Sequence, residues 1–174
     1  MYKLQTLVFV LSHIVYFMFG KIKNGFVCGK LFIFRNKGKL FLGSNVVFRN
    51  FCNVLIEENA SLIIGNNTFF NNYCSINAGA SIIIGENCLF GESVKIYDHN
   101  HIFKNKNLVK DNPLKYGDVV VGDNTWIGSN VTILPDVVVG KNCVIGANSV
   151  VYKSIPDNTL YLATGEMKLI AEKL

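Results

Sequence analysis

Histidine occurs three times in this 174-residue sequence and tryptophan once, and no two of the five cysteines stand in a CxxC pair. With no paired cysteines and no His/Cys grouping at ligand spacing, zinc fingers and ribbons are excluded. Charge is also scarce. Asp, Glu, Lys and Arg make up 17% of the chain while half of it is hydrophobic, which argues against a disordered segment or a nucleic-acid coat, so no nucleic-acid partner is expected. Long apolar runs are missing too: the stretch from Leu4 to Phe19 falls short of the ~20 residues of a membrane span, and no small-x-small cleavage site follows it. What charge there is leaves a net +5, suited to a polyanionic small molecule, an anionic membrane surface or plain solubility. The length fits one domain with a full core.

Residues 1–25 read as an apolar N-terminal helix. Gln5, Thr6, Ser12 and His13 fall in two pairs seven apart, on one helical stripe, with apolar residues around the rest. Such a face needs a partner: the body of the protein, a sister subunit, or a membrane surface contacted through residues 4–19, with Lys3, Lys21 and Lys23 near the headgroups.

The rest of the chain counts in sixes. Val121, Ile127, Ile133, Val139, Ile145 and Val151 stand six apart, and glycine follows four of them, at Gly122, Gly128, Gly140 and Gly146. Two residues before each anchor is a small or β-branched residue: Val119, Thr125, Val131, Val137, Cys143 and Ser149. A period of six with two inward residues per repeat is not helical. It describes short strands joined by corners, three to a coil, in a parallel β-helix. Earlier anchors are Ile64, Phe70, Ile76 and Ile84, Phe90, Ile96, and the units beginning at Arg35, Glu57 and Asn77 recur after 22 and 20 residues, so those coils carry extra corner residues. Asn45, Asn66, Asn67, Asn87, Asn124 and Asn142 hold turn slots, where asparagine tolerates positive φ. Cys52, Cys74, Cys88 and Cys143 take the small inward slot as buried hydrophobes. Reduced thiols of this kind point to the cytoplasm; Cys28 lies outside the register.

The count stops after Ile96 and resumes at Val119. The stretch between, beginning "IYDHNHIFKNKN", is too polar to stack inside a coil and holds two of the three histidines. It must leave the prism as a loop, 98–118, and loops held on a rigid scaffold are where binding and catalysis concentrate.

From about Phe26 to Pro156, and most closely in "VVVGDNTWIGSNVTILPDVVVGKNCVIGANSVVYKSIPDN" with its WIG, IGANSVV and KSIP segments, the chain resembles the hexapeptide-repeat acyltransferases, in particular the galactoside, maltose and capsular-polysaccharide O-acetyltransferase branch. The resemblance implies an all-β, left-handed parallel β-helix working as a homotrimer, with a short C-terminal tail or helix over 157–174. It implies acetyl-CoA as co-substrate, with no metal, and acetyl transfer to a sugar or surface-glycan hydroxyl. A histidine at the base of the projecting loop is the family's general base. Counting without a gap from Ile84 and Gly85 puts it on His101, with His99 two residues away as the second candidate and Asp98 as the group that orients the imidazole. By the same resemblance Ser129, Gly146, Ala147 and Lys153 line the path of the coenzyme, Trp126 lies at its thioester end, and Lys141, Lys153 and Lys168 supply charge near its phosphates. Two departures stand out. Tyr152 replaces the family's usual Thr before the lysine, and "ATGEMKLI" stands where a Gly-x-Pro-Ala motif is common.

Other readings are an N-acyltransferase acting on an amino-sugar nucleotide, a serine O-acetyltransferase-like enzyme, a scaffold without activity, and a prism carbonic anhydrase. The last needs three histidines on one zinc, and His13 lies away from the coils.

Overall fold

The computed structural model describes residues 21–22, 25–103 and 108–170; the N-terminal helix expected over 1–25 lies outside them up to residue 20, while its last part is instead the strand Lys21–Ile22, paired parallel with Phe41–Leu42 at the start of face A. The described chain winds as a three-sided prism. Each side is a parallel sheet whose neighbouring strands come from successive coils. Face A stacks Lys39–Leu42, Ser61–Ile64, Ser81–Ile84, Val119–Val121 and Val138–Val139. Face B includes Phe69–Phe70, Leu89–Phe90, Trp126–Ile127 and Val144–Ile145. Face C includes Asn53–Ile56, Ser75–Ala78, Lys95–Tyr97 and Thr132–Ile133.

The hexad anchors fill the axis of the prism, all at 1% exposure or less from Ile64 to Val151, and the slot two residues earlier is equally buried. Stacked coils put like on like: the rings of Phe48, Phe70 and Phe90 lie 4.3 and 4.4 Å apart, nearly parallel. The inward slot asks for more than small size. The thiols of Cys52, Cys74, Cys88 and Cys143 lie 3.1–3.2 Å from the corner carbonyls of Asn71, Gly91, Gly122 and Pro156, and the Thr68 and Thr125 hydroxyls donate likewise at 3.0 Å. Each gives a buried carbonyl a hydrogen bond that an alanine would withhold.

Corners fix the chain direction. Asn45, Asn67, Asn87, Asn124 and Asn142 all have φ between 53° and 57°, whereas Asn66 is not of this set and instead accepts from Ser44 N–H at 2.9 Å. The positive-φ asparagines also link coils through their amides, Asn45 to Asn67 at 3.0 Å, Asn124 to Asn142 at 2.9 Å and Asn142 to Asn158 at 3.1 Å.

Leu42, Ile64, Ile84, Val121 and Val139 pair in turn on face A, so successive coils use 22, 20, 37 and 18 residues. Every departure from eighteen falls at one corner, where face C passes to face A. Val54 to Ile64, Ile76 to Ile84 and Ile96 to Val121 all span that corner, while the other two corners keep the six-residue step. The longest excursion, read from sequence as a loop, is a hairpin at its base: His99–His101 pairs antiparallel with Leu114–Tyr116, and Asn112 Nδ2 donates to the Ile102 carbonyl at 2.8 Å.

The C-terminal helix expected over 157–174 is replaced, as far as residue 170, by strands. Thr159–Tyr161 extends face B and Met167–Leu169 folds back antiparallel to it. Gly165, at φ 84°, permits the tight reversal between them, and the alternating "TLYLATGEMKL" pattern suits a hairpin more than a helix.

Candidate functional site

The irregular corner encloses a cavity of about 390 Å³ lined by Leu55, Glu57, Glu58, Asn77, Ala78, Gly79, His99, Leu114 and Tyr116. Asp98, next in sequence to the lining residue His99, anchors this corner from behind. Its side chain is fully buried, and its two oxygens accept the backbone N–H groups of Gly79 at 2.8 Å and Ala80 at 2.7 Å. Its own carbonyl accepts from Gly117 N–H at 2.8 Å. One carboxylate thus ties the start of the hairpin to the corner of the coil before it.

The same Asp98 Oδ1 lies 3.0 Å from His99 Nδ1. An ionised carboxylate only accepts, so Nδ1 carries the proton in that contact, and in the neutral imidazole Nε2 is then the nitrogen with the free lone pair. His99 is 24% exposed and lines the cavity; the Tyr116 ring lies 6.1 Å away and the Tyr97 ring 6.4 Å. Gly79 leaves room for this arrangement. A Cβ there would stand 2.6 Å from the Tyr116 ring and 3.2 Å from His99 Nδ1.

Of the sequence-predicted residues, Asp98 and His99 are brought together. His101, at the far end of the same strand, is exposed and lies outside the cavity lining. Trp126 stands on face B, 53% exposed, with Ser129, Gly146 and Ala147 at the adjoining corner between faces B and C. In a triangular section face B is the side opposite the corner that holds His99, so one chain does not bring the two groups together. Lys153 lies just after Val150–Val151 of face C, its Nζ 6.0 Å from the Tyr152 ring centre. Lys168 sits on the terminal strand beside Glu166 at 3.5 Å. Lys141 pairs with Asp123 at 2.8 Å, and that hydrogen bond raises the lysine and lowers the aspartate from their ordinary pKa values.

Sequence reasoning did not single out Glu57, Glu58, Asn77, Gly79 or Tyr116. The signal was the lengthened "EENA" and "NAGA" corners, read only as extra residues. Among the described residues no three His, Cys, Asp or Glu side chains are grouped to hold a metal ion.

Stacked hexad coils define a hexapeptide-repeat protein. Residues 118–153 match the family model "Bacterial transferase hexapeptide (six repeats)" and residues 81–95 match "Hexapeptide repeat of succinyl-transferase". A protein of Escherichia coli (strain K12), WbbJ, provisionally described as a lipopolysaccharide biosynthesis O-acetyl transferase, is 38% identical over 88 residues, covering 46% of this chain and 45% of its own. The chain spans about half the length of most of the curated relatives it matches. Among solved structures, a maltose O-acetyltransferase from Clostridium difficile 630 is 25% identical with a TM-score of 0.56, covering 88% of this chain and 71% of that one. AntD, an N-acyltransferase from Bacillus cereus solved with dTDP and coenzyme A, shares the fold at a TM-score of 0.62 and 20% identity, covering 86% and 83%. Residues 81–95 and 118–153 therefore carry the hexapeptide repeat of these transferases, and the prism has the fold of the left-handed parallel β-helix acetyltransferases.

Proposed function

We propose that the protein transfers acetyl from acetyl-CoA to a hydroxyl of a sugar or surface glycan, such as a capsule or O-antigen unit, with His99 as general base. The observation that carries this reading is the Asp98–His99 pair at the wall of the cavity. A sugar hydroxyl is a weak nucleophile near neutral pH, and a positioned imidazole relieves it of its proton as it attacks.

The step balances without a metal. The acceptor O–H proton passes to His99 Nε2 while the oxygen attacks the thioester carbonyl. The carbon–sulfur bond then breaks, and the imidazolium returns the proton to the departing thiolate. Asp98 acts through His99: it holds the ring with Nε2 free and stabilises the imidazolium. Because it also accepts two backbone N–H groups, it is itself held in place. His101, the residue reached by counting without a gap, is the second choice; it is exposed, lies outside the cavity lining and has no orienting carboxylate among the described residues.

Trp126, Ser129, Gly146 and Ala147 form an exposed stripe along face B and its corner, and an extended coenzyme suits such a groove. That stripe faces away from His99 in the same chain. A homotrimer of side-by-side prisms sets one subunit's stripe against the next subunit's hairpin, so each site takes its base from one copy and its coenzyme groove from another. Reduced buried thiols favour the cytoplasm, and the apolar segment 4–19 suits contact with the membrane face where lipid-linked glycans are assembled.

Mass spectrometry of sugars and glycan fragments incubated with the protein and acetyl-CoA tests the reading. A gain of one acetyl group that mild base removes is the expected result. A base-stable product would assign transfer to nitrogen instead.

A further inference from the structure

The cavity at the opened corner has a wall that the general base does not explain. Glu57 and Glu58 line it, and neither Lys nor Arg is among the lining residues, although the chain as a whole is basic. Lys37 reaches Glu57 at 3.7 Å, both side chains more than half exposed, a pairing that water screens heavily; Glu58 has no ion pair among the described residues. Asn77 lines the same cavity, and its side-chain oxygen is buried and makes no hydrogen bond among the described residues. Buried polar atoms are nearly always partnered, so an orphan acceptor in the wall of a cavity points to a donor that arrives with a ligand. Tyr116, half exposed and held over Gly79, offers an aromatic face beside the imidazole.

We infer that the sugar residue accepting the acetyl group carries no anionic substituent: it is a neutral or amino sugar whose O–H or N–H groups donate to Glu57, Glu58 and Asn77 while its C–H face lies on Tyr116. This deepens the acetyl-transfer reading and rests on it. The chemistry is one-sided. Carboxylates and an amide oxygen accept from hydroxyls or an ammonium group, and a polarised sugar C–H face packs on an aromatic ring. A uronate, sialate or sugar phosphate in the same place would put its charge against two carboxylates with no cation among the described lining residues, and the bound sugar, by displacing water from the cavity, would leave that repulsion less screened than in the empty site. Glu58 is the specificity-determining residue, because Lys37 already draws on Glu57.

The test uses the full chain, acetyl-CoA and three matched acceptors: methyl galactoside, methyl galactosaminide and methyl galacturonide, with the same set on the gluco configuration. The expected result is transfer to the neutral or amino members, with kcat/KM for the uronide at least about tenfold lower. The double variant Glu57→Gln, Glu58→Gln should narrow that gap from both sides, lowering KM for the uronide and raising KM for the neutral sugar, whose donors lose two charged acceptors. Uronides acetylated as well as neutral sugars by the unaltered protein, or a gap that the variant leaves unchanged, would overturn the inference while leaving acetyl transfer intact. Absence of acetyl transfer to every member would overturn the acetyl-transfer reading and this inference with it.

Discussion

Asp98 Oδ1 and His99 Nδ1 lie 3.0 Å apart, side by side in sequence at the one corner where the coil opens. Adjacent residues of a strand point to opposite faces, so the contact exists because Asp98 turns inward to the N–H groups of Gly79 and Ala80 and His99 folds back over the same corner.

Replacing Asp98 by Asn keeps size and removes charge. An amide can present its N–H to Nδ1, which favours the tautomer with the proton on Nε2, the wrong one for a base. We expect kcat to fall by roughly 10²–10⁴ with KM for acetyl-CoA little changed. Circular dichroism should still report a β-helix, because the amide oxygen can accept one of the two backbone N–H groups.

Gly79→Ala puts a methyl group against the Tyr116 ring and His99. Tyr116 is half exposed and can swing away, so the melting temperature should drop only slightly while turnover falls at least about tenfold, a displaced catalytic group being costly even at ~1 Å. A large loss of stability with normal specific activity would show that the glycine serves packing alone.

Truncating the axial stack is a different kind of change. Phe70 is fully buried between Phe48 and Phe90, and Phe70→Ala should cost about 3–5 kcal/mol, read from denaturant unfolding with the midpoint shifted and activity per folded molecule retained.

The inward thiols should be silent. Burial pushes the Cys88 thiol up to about 11 and raises that of Cys143; hydrogen bonding with Cys74 lowers Cys52 instead, so its protection rests on burial, and all four thiols are closed to solvent. Native protein treated with iodoacetamide should leave Cys52, Cys74, Cys88 and Cys143 unmodified by peptide mass spectrometry. Denatured protein should take up label at all of them.

The proposed sharing of each site between two subunits predicts complementation. Alone, His99→Ala and Trp126→Ala proteins should both be weakly active; co-expressed, their mixed assemblies recover activity because roughly a quarter of the interfaces pair an intact His99 with an intact Trp126. If Trp126→Ala alone retains normal activity, or if the mixture stays at the level of the separate variants, the groove on face B does not serve the neighbour's histidine.

Much of the fold was legible because a stacked coil repeats its constraints. The anchors from Val121 to Val151 repeat one buried environment at each step, so the period of six survives any single substitution, and the positive-φ corners select asparagine again and again. The site was less legible because it lies where repetition stops. Counting can locate the opening between Ile96 and Val119, but the choice between His99 and His101 depends on which end of a three-residue strand sits over Gly79. Glu57, Glu58 and Asn77 belong to two other coils, and only the winding of the chain carries them to the hairpin. The C-terminal strand escaped notice for a related reason: its alternation is too short to stand out, and the solvent-facing Lys168 and Leu169 give no burial pattern to read.

The most direct measurement compares acetyl transfer to a sugar acceptor by His99→Ala and His101→Ala proteins of equal fold and equal affinity for acetyl-CoA. The account predicts a loss of at least about 10²-fold in kcat for His99→Ala and a change within a few-fold for His101→Ala. Full activity in His99→Ala, with the loss falling on His101→Ala, would contradict it.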